Sequence, residues 1–173
     1  MNDMTARRRT IQWDDPEATA RAGLSRPGID YLRAVISGEL PRPPIAWALD
    51  FDLVEVEEGR AVFECEPKEF HYNPSNGVHG GLALTLIDSA TGCAVHSTLP
   101  AGEDFTSVET STQFVRPMRA GMGKVRCEAK LVHRGRTLAR AEARIVDAEG
   151  RLLAYGHSTC MLLKLDGAAR AKA

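Results

Sequence analysis

Apolar positions change period several times along the chain, and each change marks an element. From Pro27, Ile29, Leu32, Val35 and Ile36 recur at helical spacing, with Gly38 and Pro41 closing the segment. Pro41-Arg42-Pro43-Pro44 reads as a stiff connector. Two strand-like runs follow, Trp47 to Glu57 and Arg60 to Glu66, joined by a turn at Glu58-Gly59; Leu49, Phe51 and Leu53 alternate with polar or small residues. Next comes a helical stretch, roughly His79 to Leu99, whose apolar face is Leu82, Leu86, Ile87, Ala90 and Ala94. Its opposite strip, Gly81, Thr85, Asp88, Ser89, Gly92 and His96, is small or polar and admits a close neighbour. Four more alternating runs, Phe105 to Arg116, Lys124 to His133, Thr137 to Val146 and Leu152 to Leu163, are separated by short Gly-containing connections, which imply antiparallel neighbours. The order predicts an α+β domain: a curved antiparallel β-sheet against one long central helix, with a short N-terminal helix. Residues 1 to about 26 lack clear periodicity and read as a loosely ordered arm. The expected division is 1–45 arm and short helix, 46–165 one domain, and 166–173 a tail.

Composition narrows the function classes. The 173 residues are 43% hydrophobic and 26% charged, as in a soluble globular domain. Lys and Arg (22) balance Asp and Glu (23), so nothing suggests an electrostatic grip on nucleic acid or an anionic membrane. No apolar run approaches the roughly eighteen residues of a transmembrane helix, and no apolar stretch follows the N-terminal basic residues as in a signal peptide. A cytoplasmic location is expected. Cys65, Cys93, Cys127 and Cys160 form no CxxC pair or Cys/His cluster, so they read as buried hydrophobes of a reducing compartment rather than zinc ligands or a disulfide framework. Arg7-Arg8-Arg9 reads as a solvated tail or a contact for an acidic partner.

Candidate chemistry begins with Asp88, the single formally charged residue between Phe70 and Gly102. A carboxylate mid-helix in the most apolar part of a chain is either held by nearby hydroxyls for structural reasons or belongs to a functional site. The segment before the helix, His71-Tyr72-Asn73-Pro74-Ser75-Asn76-Gly77-Val78-His79-Gly80-Gly81, is polar and glycine-rich. The first N–H groups of a helix lack internal partners and carry partial positive charge. A free Gly80 N–H with no Cβ beside it has the makings of an oxyanion hole; an ordinary capped loop is the rival reading. Gly80 and Asp88, eight residues apart on one helix, are separated by about 12 Å. They serve one reacting carbon only if Asp88 comes from a second copy, which predicts an obligate two-fold dimer with two interfacial sites.

The pattern Asn73-x5-His79-Gly80-Gly81-x6-Asp88, followed by a strand ending Phe114-Val115-Arg116-Pro117, resembles the hotdog-fold acyl-CoA thioesterases, most of all their phenylacetate-degradation (PaaI-like) branch. The His133-Arg134-Gly135-Arg136-Thr137 and Asp147-Ala148-Glu149-Gly150 turns fit too, and the match spans about Leu49 to Leu163. The resemblance implies a hotdog fold hydrolysing the thioester of a small or medium acyl-CoA, aliphatic or aromatic. Asp88 would be general base or nucleophile and the Gly80 N–H would polarise the carbonyl. Asn73 would bind that carbonyl or orient the site, and His79 would fix the loop. Ser107, or next Thr106, would supply a hydroxyl to Asp88. Val78 and Gly81 would flank the substrate; Arg134 and Arg136, around Gly135, or else Arg116 or Arg119, would meet CoA phosphates. No metal or organic cofactor is implied beyond the coenzyme A of the substrate. The expected partner is the chain itself, as a homodimer pairing into a dimer of dimers. Competing readings are a hydratase or dehydratase of acyl thioesters using His79 and Asp88, and a non-catalytic acyl-CoA sensor.

Overall fold

The computed structural model describes residues 7–164, so the 166–173 tail lies outside the described residues. Four α-helices are described, α1 (Pro16–Leu24), α2 (Gly28–Ser37), α3 (Pro44–Leu49) and α4 (Gly80–His96), with a 3-10 turn at Glu69–His71. The strands are β1 (Phe51–Glu57), β2 (Arg60–Cys65), β3 (Glu103–Phe114), β4 (Val125–Arg134), β5 (Leu138–Val146) and β6 (Leu152–Lys164). They form one six-stranded sheet in the order β1-β2-β4-β5-β6-β3, every pair antiparallel. β5 shows how sequence becomes sheet: Ala139, Ala141, Ala143 and Ile145 are buried while Leu138, Arg140, Glu142 and Arg144 between them are exposed. Alanines on that inner face, joined by Ala129 of β4, let α4 lie close, and its Leu82, Leu86, Ile87, Ala90 and Ala94 complete the core. The expected α+β architecture, an antiparallel sheet around one central helix, is therefore present.

Two expectations near the N-terminus are corrected. Trp47 to Leu49 is not strand: Pro44 opens α3 at its first position and Asp50 closes it with a left-handed φ of 56°, so β1 starts at Phe51. A six-residue helix is too short for its period to show. The arm also holds α1, where the Asp15 side chain accepts the Glu17 N–H at 2.9 Å and Pro16 takes the first turn. Asp15-Pro16-Glu17 is a start signal legible in sequence; the missing apolar stripe hid it. Ahead of α1, Arg9 donates to Trp47 O and Ala48 O, both at 2.7 Å, and lies 3.9 Å from the Phe70 ring centre. Arg7 pairs with Glu69 at 2.6 Å. Two arginines of the basic run thus bind the chain's own fold.

α2 docks on the far end of α4. The Gly28 N–H donates to Leu99 O at 2.9 Å, and Tyr31 and Phe105 flank the His96 ring. A Cβ on Gly28 would sit 1.8 Å from His96 O, a backbone atom that cannot swing away. Gly28→Ala is therefore expected to cost about 3 kcal/mol. Urea unfolding measures it, and a change within about 0.5 kcal/mol would show that α2 docks some other way.

Candidate active site

The entry to α4 is built by its own side chains. His79 is the N-cap, and its Nδ1 accepts the Gly81 N–H at 2.8 Å. A Cβ on Gly81 would approach that nitrogen to 2.8 Å, which is why glycine stands there. With Gly81 satisfied and the Leu82 N–H donating to His79 O, the Gly80 N–H meets no acceptor among the described residues. It remains an open donor at the positive end of a 17-residue helix. Asn73 holds the preceding loop, its Oδ1 accepting from Ser75 N at 2.9 Å and Gly77 N at 3.3 Å. Its amide NH2 makes no bond among the described residues, so it stays available as a donor.

Beneath this loop His71 is buried, with Nε2 donating to Leu49 O at 2.8 Å and Nδ1 accepting the Lys68 N–H at 3.0 Å. This pattern requires the neutral ring. Burial lowers its pKa from the ordinary 6.5, and the bond to Leu49 offsets part of that effect. The stability this contributes is complete above 6.5 and is lost as pH falls through the lower folded value. The melting temperature should drop as the pH is lowered below 6.5, and drop less in His71→Gln. Equal slopes in the two proteins would refute this.

Asp88 lies on the strip of α4 opposite its apolar face, as its spacing predicts, and is half-buried. Thr110 of β3 donates to its Oδ1 at 2.8 Å. Its Oδ2 takes no hydrogen bond among the described residues. The expected hydroxyl was Ser107, with Thr106 next, and within the chain that expectation is corrected. A register shift between Ser107 and Glu109 re-phases β3, so that Thr110 pairs with Ser158 and turns toward the helix. Ser107 stays before the bulge, exposed and opposite Cys160. The polar run Thr106-Ser107-Val108-Glu109-Thr110-Ser111-Thr112 signalled a hydroxyl on this strand; only the bulge selects which.

An apolar cleft of about 460 Å³ opens beside Gly80, lined by Val78, Ala83, Phe114, Met118 and Leu153. A Cβ on Gly80 would come within 2.9 Å of the Phe114 ring. The His133–Thr137 turn lies elsewhere. Arg134 reaches Thr98 O at 2.9 Å and Glu103 at 3.0 Å, just past the C-terminal end of α4. That is about 24 Å along the helix from Gly80. Arg134 therefore ties α4 to β3, while Gly135 shapes the turn by donating to Leu138 O at 2.8 Å. Arg136 is exposed and makes no ion pair among the described residues. Arg116 donates to Leu152 O at 2.7 Å. One chain thus gathers Asn73, Val78, His79, Gly80 and Gly81 at one end of α4, places Asp88 mid-helix, and leaves the basic turn at the other end.

A long helix held by a six-stranded antiparallel sheet is the architecture of the hotdog fold. Residues 76–154 match the family model of the thioesterase superfamily. Human acyl-coenzyme A thioesterase 13 is 31% identical over 108 residues, which is 62% of this chain and 76% of that protein. The 1,4-dihydroxy-2-naphthoyl-CoA hydrolase of Listeria monocytogenes is 25% identical over 67% of this chain and 93% of its own. A phenylacetic acid degradation-related protein from Ralstonia eutropha superposes with a TM-score of 0.68 at 28% identity, over 76% of this chain and 98% of that one. The chain belongs to the thioesterase superfamily, and it is a thioester hydrolase.

Proposed function

We propose that the protein hydrolyses acyl-CoA thioesters with a small or medium acyl group, aliphatic or aromatic, at two sites shared between two copies of the chain. The observation that carries this reading is the pair of unused groups: the open Gly80 N–H and the Asp88 Oδ2 left free by Thr110. Asp88 Oδ2 takes a proton from water as the water oxygen bonds to the thioester carbon. The carbonyl electron pair moves onto oxygen, where the Gly80 N–H and the Asn73 amide stabilise it. Collapse breaks the C–S bond, and the leaving thiolate takes the proton from Asp88. The products are a carboxylic acid and free coenzyme A, and the steps need no metal or further cofactor. Phosphates of the nucleotide would meet Arg136 or Arg119.

Two features support the dimer. β3 is the sheet edge opposite β1, twelve residues long, with Val108 and Phe114 exposed; β1 is flanked by α2 and α3. An open edge of that length calls for a partner. On the strip of α4 that carries Asp88, Leu84 is exposed and Thr85, Asp88 and Ser89 are only half-buried by their own chain. A hydratase reading is disfavoured by His79, whose Nδ1 already serves as helix cap and so is not open as a base. No helix among the described residues is long and apolar enough to cross a membrane, and the four unpaired cysteines suit a reducing compartment such as the cytoplasm. The test is thiol release from a panel of aliphatic and aromatic acyl-CoAs. Turnover of at least one is expected; tight binding without turnover across the panel would favour the sensor.

A further inference from the structure

Behind Asp88 the core contains two hydroxyls that packing alone does not require. Thr91 of α4 and Ser158 of β6 are both 0% exposed. Thr91 Oγ1 lies 2.7 Å from Ser158 Oγ, Ser158 Oγ lies 2.9 Å from Thr110 Oγ1, and Thr110 Oγ1 lies 2.8 Å from Asp88 Oδ1. Each hydroxyl has one proton, and an ionised carboxylate only accepts. Thr110 must therefore donate to Asp88, and Ser158 must donate to Thr110. Ser158 in turn can only receive from Thr91. Ile87 O and Asp88 O also lie near Thr91 Oγ1, at 2.7 and 3.1 Å, but they are the carbonyls that the Thr91 and Gly92 backbone N–H groups reach in a regular helix, and neither needs the hydroxyl. The protons thus run in one direction, from Thr91 through Ser158 and Thr110 to the carboxylate.

We infer that Thr91 and Ser158 are positioning residues for catalysis, a buried relay that locks the Thr110 proton onto Asp88 Oδ1 and so keeps Oδ2 aimed at the water. The inference rests on the reading of Asp88 as base. A hydroxyl that itself accepts a hydrogen bond donates more strongly, and in a low dielectric such chains reinforce one another. The relay also joins three elements, α4, β3 and β6, at the one point where the carboxylate must be held. Without Ser158, Thr110 has no donor to orient it and can rotate its proton off Asp88. The Asp88 carboxylate acts on two thiols, Cys93 of its own helix and Cys160 of β6. Burial raises the pKa of both, that of Cys93 to about 12, so both stay neutral through the working range.

The test compares wild type with Ser158→Ala, Thr91→Val and the hydroxyl-retaining Thr91→Ser on whichever acyl-CoA is turned over. Ser158→Ala is expected to lower kcat about three- to tenfold with KM little changed. It should also move the acid limb of the pH–rate profile upward by about 0.5 pH unit, because the weakened donor stabilises the ionised carboxylate less. Thr91→Val should do the same to a smaller degree, and Thr91→Ser should restore the wild-type profile. A purely structural hydroxyl would change the melting temperature and leave the acid limb where it is. That result, or wild-type kcat in Ser158→Ala, overturns the relay. Asp88→Asn run beside them separates the two failures. If it is inactive while Ser158→Ala behaves as wild type, the relay falls and the base stands. If it retains full activity, both fall. A carbon-13 titration of the Asp88 carboxylate in wild type and Ser158→Ala reads the coupling without turnover, and superimposable curves would also overturn it.

Discussion

Asp88→Asn should reduce kcat at least about a hundredfold on any acyl-CoA the protein hydrolyses, with KM nearly unchanged. The amide matches the carboxylate in size, and its oxygen can still accept from Thr110, which donates to Asp88 at 2.8 Å. What it lacks is an oxygen able to take a proton from water. Since Asp88 lies on the outward strip of α4 and not in the core, the variant should fold and assemble as wild type does. Steady-state thiol release, with size-exclusion chromatography to verify assembly, measures this. A fall of less than threefold would assign the base to another group and make Asp88 a structural partner of Thr110.

Gly80→Pro should fall as far, by about 10²- to 10³-fold, because it deletes the N–H left open at the first residue of α4. Proline suits this position. Gly80 is the first residue of the helix, where proline is favoured, and His79 before it is already extended at φ −63° and ψ 134°. The added ring atoms meet the Phe114 side chain, which is 64% exposed and can turn aside. The two inactive variants also test where the site is. Mixed dimers of Asp88→Asn and Gly80→Pro chains would hold one intact site, made of Gly80 from the first and Asp88 from the second. Random assortment should then recover about a quarter of wild-type activity, since half the dimers are mixed and each has one whole site of two. No recovery on co-expression, with mixed dimers present, would place both groups within one chain and refute the shared site.

How far the site was legible follows from the kind of signal each residue left. Asp88 stood out as a lone charge in an apolar stretch. Gly80 and His79 stood out because helix-start chemistry is local: the cap, the glycine and the open N–H lie within three residues. Thr110 was out of reach, because the bulge after Ser107 changes which side chains of β3 face the helix, and a bulge leaves no period of its own. Ser158 and Thr91 are 67 residues apart and look like ordinary strand and helix residues until β6 brings one onto the other. Arg134 left a different signal: the basic turn stood out by charge, but its bonds to Thr98 and Glu103, far off in the chain, did not.

By itself the sequence determined the central helix, the strands after it and the chemistry at the helix start, because these depend on period and on groups a few residues apart. The tertiary structure alone decided which hydroxyl holds Asp88, which arginine is engaged, and that α2 seals the far end of α4 through Gly28. Those facts depend on register and close approach between segments remote in the chain, and a shift of one residue in a strand turns every side chain to its other face.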